Sequence, residues 1–126
     1  MTDKEQFIEQ MKIRTRKFAV DIISFCDTLK VKKASNVVTY QLVKSATSTG
    51  ANYRAACRAR SKNEFFSKMS IVVEEIDESE YWLQLIEEAE LSTKKGELQR
   101  LLKESNELNR IMSKARHSAY ATKTKR

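Results

Sequence analysis

Seven cations fall in two short runs of this chain: Arg14, Arg16 and Lys17 in the first, and Arg54, Arg58, Arg60 and Lys62 in the second. Guanidinium and ammonium groups at this density suit phosphate oxygens, which they hold through charge-assisted hydrogen bonds. Such contacts position a polyanion without reading its sequence, and salt weakens them. Bond-making chemistry finds much less support. The single histidine, His117, stands near the end of the chain and reads as an exposed spectator. There is no P-loop or Gly-x-Gly-x-x-Gly to cradle a nucleotide, and no Glu-x-x-His repeat of the kind that builds a di-iron centre in a bundle. Cys26 and Cys57 have no histidine partner in a recognisable motif, so a nucleophilic role is not expected. The acids Glu74, Glu75, Asp77, Glu78 and Glu80 spread around a helix barrel instead of converging, which disfavours a Mg²⁺ site. These residues predict a binding protein, not an enzyme, with no metal and no cofactor.

The elements that carry the cations are helices. The chain has 126 residues, no proline and only two glycines, Gly50 and Gly96. Proline breaks helix interiors and glycine weakens them, so this scarcity predicts long helices joined by short loops in one domain. The spacing predicts a first helix over about 4–31, with Met11, Phe18, Ile22, Phe25 and Leu29 on one face and Ile13, Val20 and Ile23 on the far side. Ser35 or Asn36 is the expected cap of a second helix over 36–60, whose inner face holds Val38, Leu42, Ser45, Thr49, Asn52, Ala56 and Ala59. Arg54 and Arg58, four apart, stack on its outer side. Ser61-Lys62-Asn63-Glu64 is a capping box that opens a third helix over 62–91. That helix has Phe65, Met69, Val72, Ile76, Leu83 and Ile86 inward, Ile71, Trp82 and Leu85 on another side, and Phe66 and Val73 on yet another. A fourth helix over 96–120 carries one stripe through Leu98, Leu101, Ser105, Leu108, Met112, Ala115 and Ala119, and 122–126 is expected as a basic tail. The predicted fold is all-α, an antiparallel up-down-up-down four-helix bundle occupying residues 1–121.

A helix on a bundle surface buries one stripe, and the first and third helices have more. Exposed contiguous apolar surface marks a partner site, so Ile13, Val20, Ile23, Ile71, Trp82 and Leu85 are expected to join copies of the chain into a homo-oligomer. Glu75 and Glu78 lie near the flank where Ser48 and Asn52 fall, and a polar cluster there is expected to set helix register.

Charge is distributed in blocks. The formal net charge is +7; residues 1–63 hold 13 Lys and Arg against 5 Asp and Glu, 64–91 hold 1 against 9, and 92–126 hold 10 against 3. A basic excess of this kind attracts nucleic acid or anionic surfaces. No uncharged run approaches the length of a membrane span, and the N-terminus lacks the apolar core of a signal peptide. The expected setting is the cytoplasm, with both cysteines reduced.

Several runs resemble the bacterial four-helix-bundle proteins of the 23S rRNA intervening-sequence family. They are Arg14-Thr15-Arg16-Lys17-Phe18-Ala19, Gln41-Leu42, Ser45 through Ala56, Arg58-Ala59-Arg60-Ser61-Lys62, and then Phe65, Lys68-Met69, Ile71, Glu74-Glu75 and Glu78 through Leu83. That family includes products of reading frames inside ribosomal RNA insertions. It is also similar to the accessory protein of diversity-generating retroelements, a basic pentameric barrel that binds nucleic acid and a reverse transcriptase. The resemblance implies a homopentamer of four-helix bundles. Two departures stand out: Thr49 occupies a position where the family commonly has Ile or Val, and Val31-Lys32-Lys33-Ala34-Ser35 lacks the proline often found in relatives.

The expected function is a non-enzymatic, oligomeric basic scaffold that binds RNA or DNA through phosphate contacts, with the two cationic runs brought together by antiparallel packing. The alternative is a protein-interaction module, such as the partner of a reverse transcriptase. Tyr53 and Tyr120 are the candidate aromatics for base stacking, with Tyr53 reading also as an edge-of-core residue.

Overall fold

The computed structural model describes the backbone of residues 1–124 and the side chains of residues 1–118. Its four helices are α1 (Asp3–Cys26), α2 (Lys33–Ala56), α3 (Lys62–Glu88) and α4 (Lys95–Thr124), and no strand occurs among the described residues. The side chains of Ala119 and Tyr120 lie outside the described set, as do residues 125–126, while α4 runs on into the segment expected as a tail.

Helix ends follow local chemistry, not always where the pattern placed them. The hydroxyl of Thr2 accepts from the Glu5 N–H at 3.1 Å, with Asp3 and Glu5 favourably placed against the N-terminal dipole of α1. α1 stops at Cys26, short of the expected 31. There the N–H and hydroxyl of Thr28 both turn back onto the Phe25 carbonyl, at 2.9 and 2.6 Å. Leu29 remains in the core although it has left the helix. α2 begins at Lys33, ahead of the expected 36, because the Ser35 hydroxyl does not cap it: it donates to the Lys30 carbonyl instead. α2 ends at Ala56, so Arg58 and Arg60 belong to the connection and not to the helix. Ser61 opens α3 as the capping box predicts, accepting from the Glu64 N–H at 3.0 Å. α3 ends at Glu88, with Glu90 at φ 54° and the Leu91 N–H bonded to the Ile86 carbonyl at 3.0 Å. That is a Schellman-type stop with glutamate where glycine is usual.

The inner faces follow the apolar spacing, except that on α2 Tyr53 is buried while Asn52, expected inward, is half-buried. Phe18, Ile22, Leu42, Ile76, Leu83 and Leu101 form the heart of one core cluster, and Met11, Tyr53, Met69, Val72 and Met112 that of a second. Each such side chain contributes about 1.5–3 kcal/mol on burial. Small polar residues sit among them: Thr15, Ser45, Thr49, Ser79 and Ser105 are all buried, and each hydroxyl reaches a carbonyl of its own helix. Ser45 and Ser79 also bond each other across α2 and α3 at 2.8 Å.

Each helix packs chiefly on its neighbour in sequence, and the α3–α4 partners run in opposing order. Ser45 meets Ser79 between α2 and α3, while Asp77 meets Asn109 and Glu80 meets Asn106 between α3 and α4. Between α1 and α2 the helices lie close at Gly50, where an added Cβ would lie 3.4 Å from the Thr15 hydroxyl and 3.5 Å from its carbonyl oxygen. The α1–α4 seam is thinner and ionic: Arg14 reaches Glu104 and Glu107, and Asp21 reaches Arg100 at 2.9 Å. At one end, the Lys30 N–H donates to the Leu91 carbonyl at 2.8 Å and ties two connections together. Among the described residues, no helix is long and apolar enough to cross a membrane.

The surplus apolar stripe of α1 remains outside the core: Ile13 is 67% exposed, Val20 55% and Ile23 45%. Val37 and Tyr40 of α2 are exposed as well. Ile71 is only marginally exposed, and Leu85 and Trp82 are half-buried. Trp82 packs against the core, donates its indole N–H to Glu78 at 3.1 Å and meets Tyr81 edge-on. It is therefore held by its own chain more than the sequence pattern suggests.

Candidate nucleic-acid interface

The seven candidate cations do not form one patch; the fold divides them. Arg16, Arg54 and Arg58 come together along a groove of about 620 Å³ between α1 and α2. The groove exists because Gly50 and Ala51 keep the wall of α2 low where it passes Thr15 and Ala19 of α1. Lys12 lines it too, one helical turn before Arg16, while Arg54 at the end of α2 is followed four residues on by Arg58 in the connection. The only carboxylate in the lining is Glu9, paired with Lys12 at 3.5 Å, which leaves the groove three positive charges in excess. Among the described residues, no carboxylate pairs with Arg16, Arg54 or Arg58. Ile13 stands exposed beside them, between Lys12 and Arg16 on the same helix.

The other four candidates lie elsewhere. Arg14 points to α4, where Nε and Nη2 donate to the two carboxylate oxygens of Glu104 at 2.8 and 2.7 Å and Glu107 stands 3.2 Å away. Hydrogen bonding to Glu104, with the charges of both glutamates, raises the affinity of this guanidinium for its proton against the opposing effect of burial. A side chain so engaged presents little to an incoming phosphate. Lys17 pairs with Asp21 at 3.0 Å, and Asp21 in turn holds Arg100. Burial disfavours the Asp21 charge, but bonds from Lys17 and Arg100 outweigh it and hold the carboxyl below its usual range. Arg60 and Lys62 line a second cavity of about 670 Å³ at the bundle end, opposite the Lys30–Leu91 tie. Arg60 also lies 3.6 Å from Glu64, in an exposed one-turn pair of small energetic weight.

The expected polar cluster is present in altered form. Asn52 donates to the carbonyl and hydroxyl of Ser48 at 2.8 and 2.9 Å, and Ser48 stands near Glu75 of α3. Glu78 takes no part in those bonds and instead accepts from Trp82. Burial, reinforced by Glu78, pushes the Glu75 carboxyl up despite the nearby Lys44 and Ser48.

Groups able to act as nucleophiles are subdued. Burial pushes the Cys26 thiol up to about 11. It raises the Cys57 thiol as well, over the opposing bond from Tyr53. The Tyr53 phenol is likewise raised by burial; at 4% exposure its ring is core, not a stacking platform. His117 is exposed. Among the described residues, no group of three or more His, Cys, Asp or Glu is placed to hold a metal ion.

Sequence spacing found the Arg54–Arg58 pair but missed Lys12, although Lys12 and Arg16 show the same four-residue step. It also missed Thr15, whose burial under Gly50 lets the two helices approach.

Comparison with known proteins agrees with this architecture. Residues 9–114 match the family described as 23S rRNA-intervening sequence protein. A solved structure described as a protein with unknown function from the S23 ribosomal protein family of Bacteroides thetaiotaomicron VPI-5482 is similar at 30% identity, with a TM-score of 0.78, covering 87% of this chain and 97% of that one. No curated protein matches the chain. The family match spans most of the sequence and includes both walls of the cationic groove, so this chain belongs to the 23S rRNA-intervening sequence protein family.

Proposed function

We propose that this protein is a non-enzymatic cytoplasmic scaffold that binds nucleic acid through phosphate contacts with little sequence discrimination. The observation that carries this reading is the α1–α2 groove, where Arg16, Arg54 and Arg58 converge with no carboxylate partner among the described residues. Unpaired guanidiniums at a concave surface concentrate polyanions, and releasing the counterions of the bound phosphates drives association.

The protomer in this reading is an antiparallel up-down-up-down bundle, supported by the opposing order of the α3–α4 pairs. Several copies assemble, five by analogy with the barrel that the family resembles. Support for assembly comes from Ile13, Val20 and Ile23, exposed in one line along α1. Sedimentation at micromolar concentration tests it: a multiple of the protomer mass is expected, and a lone protomer ends the oligomer reading.

For nucleic acid, the test is fluorescence anisotropy with RNA and DNA oligonucleotides of one sequence. Three phosphate contacts, one for each unpaired guanidinium, predict that a fourfold rise in salt weakens binding roughly 20- to 40-fold. Arg16→Glu with Arg54→Glu should abolish it. Failure of the unaltered protein to bind either polymer at low salt overturns the reading. That outcome would favour the second one, a module that docks on another protein such as a reverse transcriptase, for which exposed Val37 and Tyr40 offer apolar surface that phosphates do not use.

A further inference from the structure

The second cavity, at the bundle end, has a composition unlike the groove. Its walls are apolar and partly aromatic: Phe7 and Phe65 face it, with Ala56 and Ala115 below. Phe7 is 40% exposed, which is unusual for so large an apolar ring in the middle of a cationic region. Lys4, Arg60 and Lys62 line the same cavity. Flat apolar walls with a cationic rim complement a ligand that joins a flat ring to an adjacent negative charge.

The cavity is also next to the groove. On α1, Ile8 lines the cavity and its neighbour Glu9 the groove; after α2, Cys57 lines the cavity and its neighbour Arg58 the groove. A strand whose phosphates follow Arg16, Arg54 and Arg58 thus passes the residues that flank the cavity. We infer that this end cavity receives an unpaired terminal base of the strand held in the groove, so that the ligand is single-stranded nucleic acid with a free end, not duplex. The inference rests on the phosphate-binding reading of the groove. A duplex cannot use the cavity, because its terminal bases are paired and stacked. A single strand can splay its last base and stack it on an aromatic ring, an interaction tolerant of base identity.

The experiment uses DNA oligonucleotides carrying 2-aminopurine, either at one end or in the middle, and the same sequence as a blunt duplex. With the unaltered protein at low salt, terminal 2-aminopurine should change its fluorescence on binding while the central one should not, and the single strand should bind at least about fivefold more tightly than the duplex. Phe7→Ala should remove both effects while binding through the groove persists. Phe7 is already half in solvent on the first turns of α1, so its truncation leaves the core intact. Lys62→Glu is an independent variant: at the first turn of α3 an acid suits the helix dipole, so the fold is retained while the net positive charge of the rim falls from three to one. It should weaken the terminal signal in the same way. Equal affinity for single strand and duplex, with a silent terminal probe, overturns the cavity assignment and leaves the groove standing. Absence of all binding overturns the groove, and the cavity with it.

Discussion

Arg14 of α1 and Glu104 of α4 meet as a fork, Nε at 2.8 Å and Nη2 at 2.7 Å from the two carboxylate oxygens, across the thinnest seam of the bundle. Both side chains are mostly shielded from solvent. Two residues on, Arg16 faces the opposite way and pairs with no acid among the described residues. The same residue type therefore closes an ion pair at one position and stands unpaired in the groove at the other. Arg14→Gln is expected to lower unfolding free energy by about 1–2 kcal/mol, whereas Arg16→Gln should stay within about 0.5 kcal/mol. Oligonucleotide affinity should show the reverse order. Urea denaturation and anisotropy on the same two variants check both halves.

Gly50 sits in the interior of α2, where glycine costs about 1 kcal/mol relative to alanine. A methyl group there would make ordinary contact with Thr15 at 3.4–3.5 Å. Gly50→Ala should therefore raise stability by about 0.5–1 kcal/mol. Gly50→Val should lower it, since the branch has to enter the α1 backbone or fill the groove. Thermal melts of the pair give opposite signs if the close crossing is as described.

Glu90 holds a left-handed backbone at φ 54° at the end of α3. An L side chain in that conformation costs roughly 1 kcal/mol. Glu90→Gly is expected to recover about that amount, and Glu90→Ala should recover none of it.

Ser45 and Ser79 share a hydrogen bond in a place without solvent, and each also reaches a carbonyl on its own helix. Removing one hydroxyl leaves the other short of a partner, at a cost of about 1 kcal/mol; removing both leaves neither exposed to that loss. The double variant Ser45→Ala with Ser79→Ala should thus be less destabilised than the sum of the singles, by about 0.5–1 kcal/mol in a double-mutant cycle.

Burial and then Glu78 raise the Glu75 carboxyl above its ordinary value of 4.5. The folded form consequently binds this proton more readily than the unfolded chain does, so the stability linked to Glu75 grows as pH falls through its raised folded value towards 4.5 and is lost as pH rises. Asp21 has the opposite sign, but its loss of stability falls below 3.8, outside that window. Glu75→Gln should raise the Tm at pH 7 and make little difference at pH 4.5, as followed by circular dichroism. A pH-independent shift would mean that the shape of the Glu75 side chain, not its charge, governs this contact.

The sequence alone was enough to show four helices, because an apolar residue every three or four positions is a property of one helix and needs no neighbour to be read. Met11, Phe18 and Ile22, or Leu101, Leu108 and Met112, face inward for that reason, and Ser61 with Glu64 marks a helix start by purely local bonding. The stops were less legible: α1 ends on the Thr28 turn and α3 on a left-handed glutamate, neither of which carries the usual glycine or proline signal. For the site, the local pattern supplied cations but could not sort them. Arg14 and Arg16 are about 200° apart around α1, and only the packing of that helix decides that one turns to Glu104 and the other to Arg54. Part of that packing is the close passage of α2 over α1 at Gly50 and Thr15. A contact between residues 35 positions apart leaves no period in the chain, so the groove and the end cavity became visible only once the helices were laid side by side.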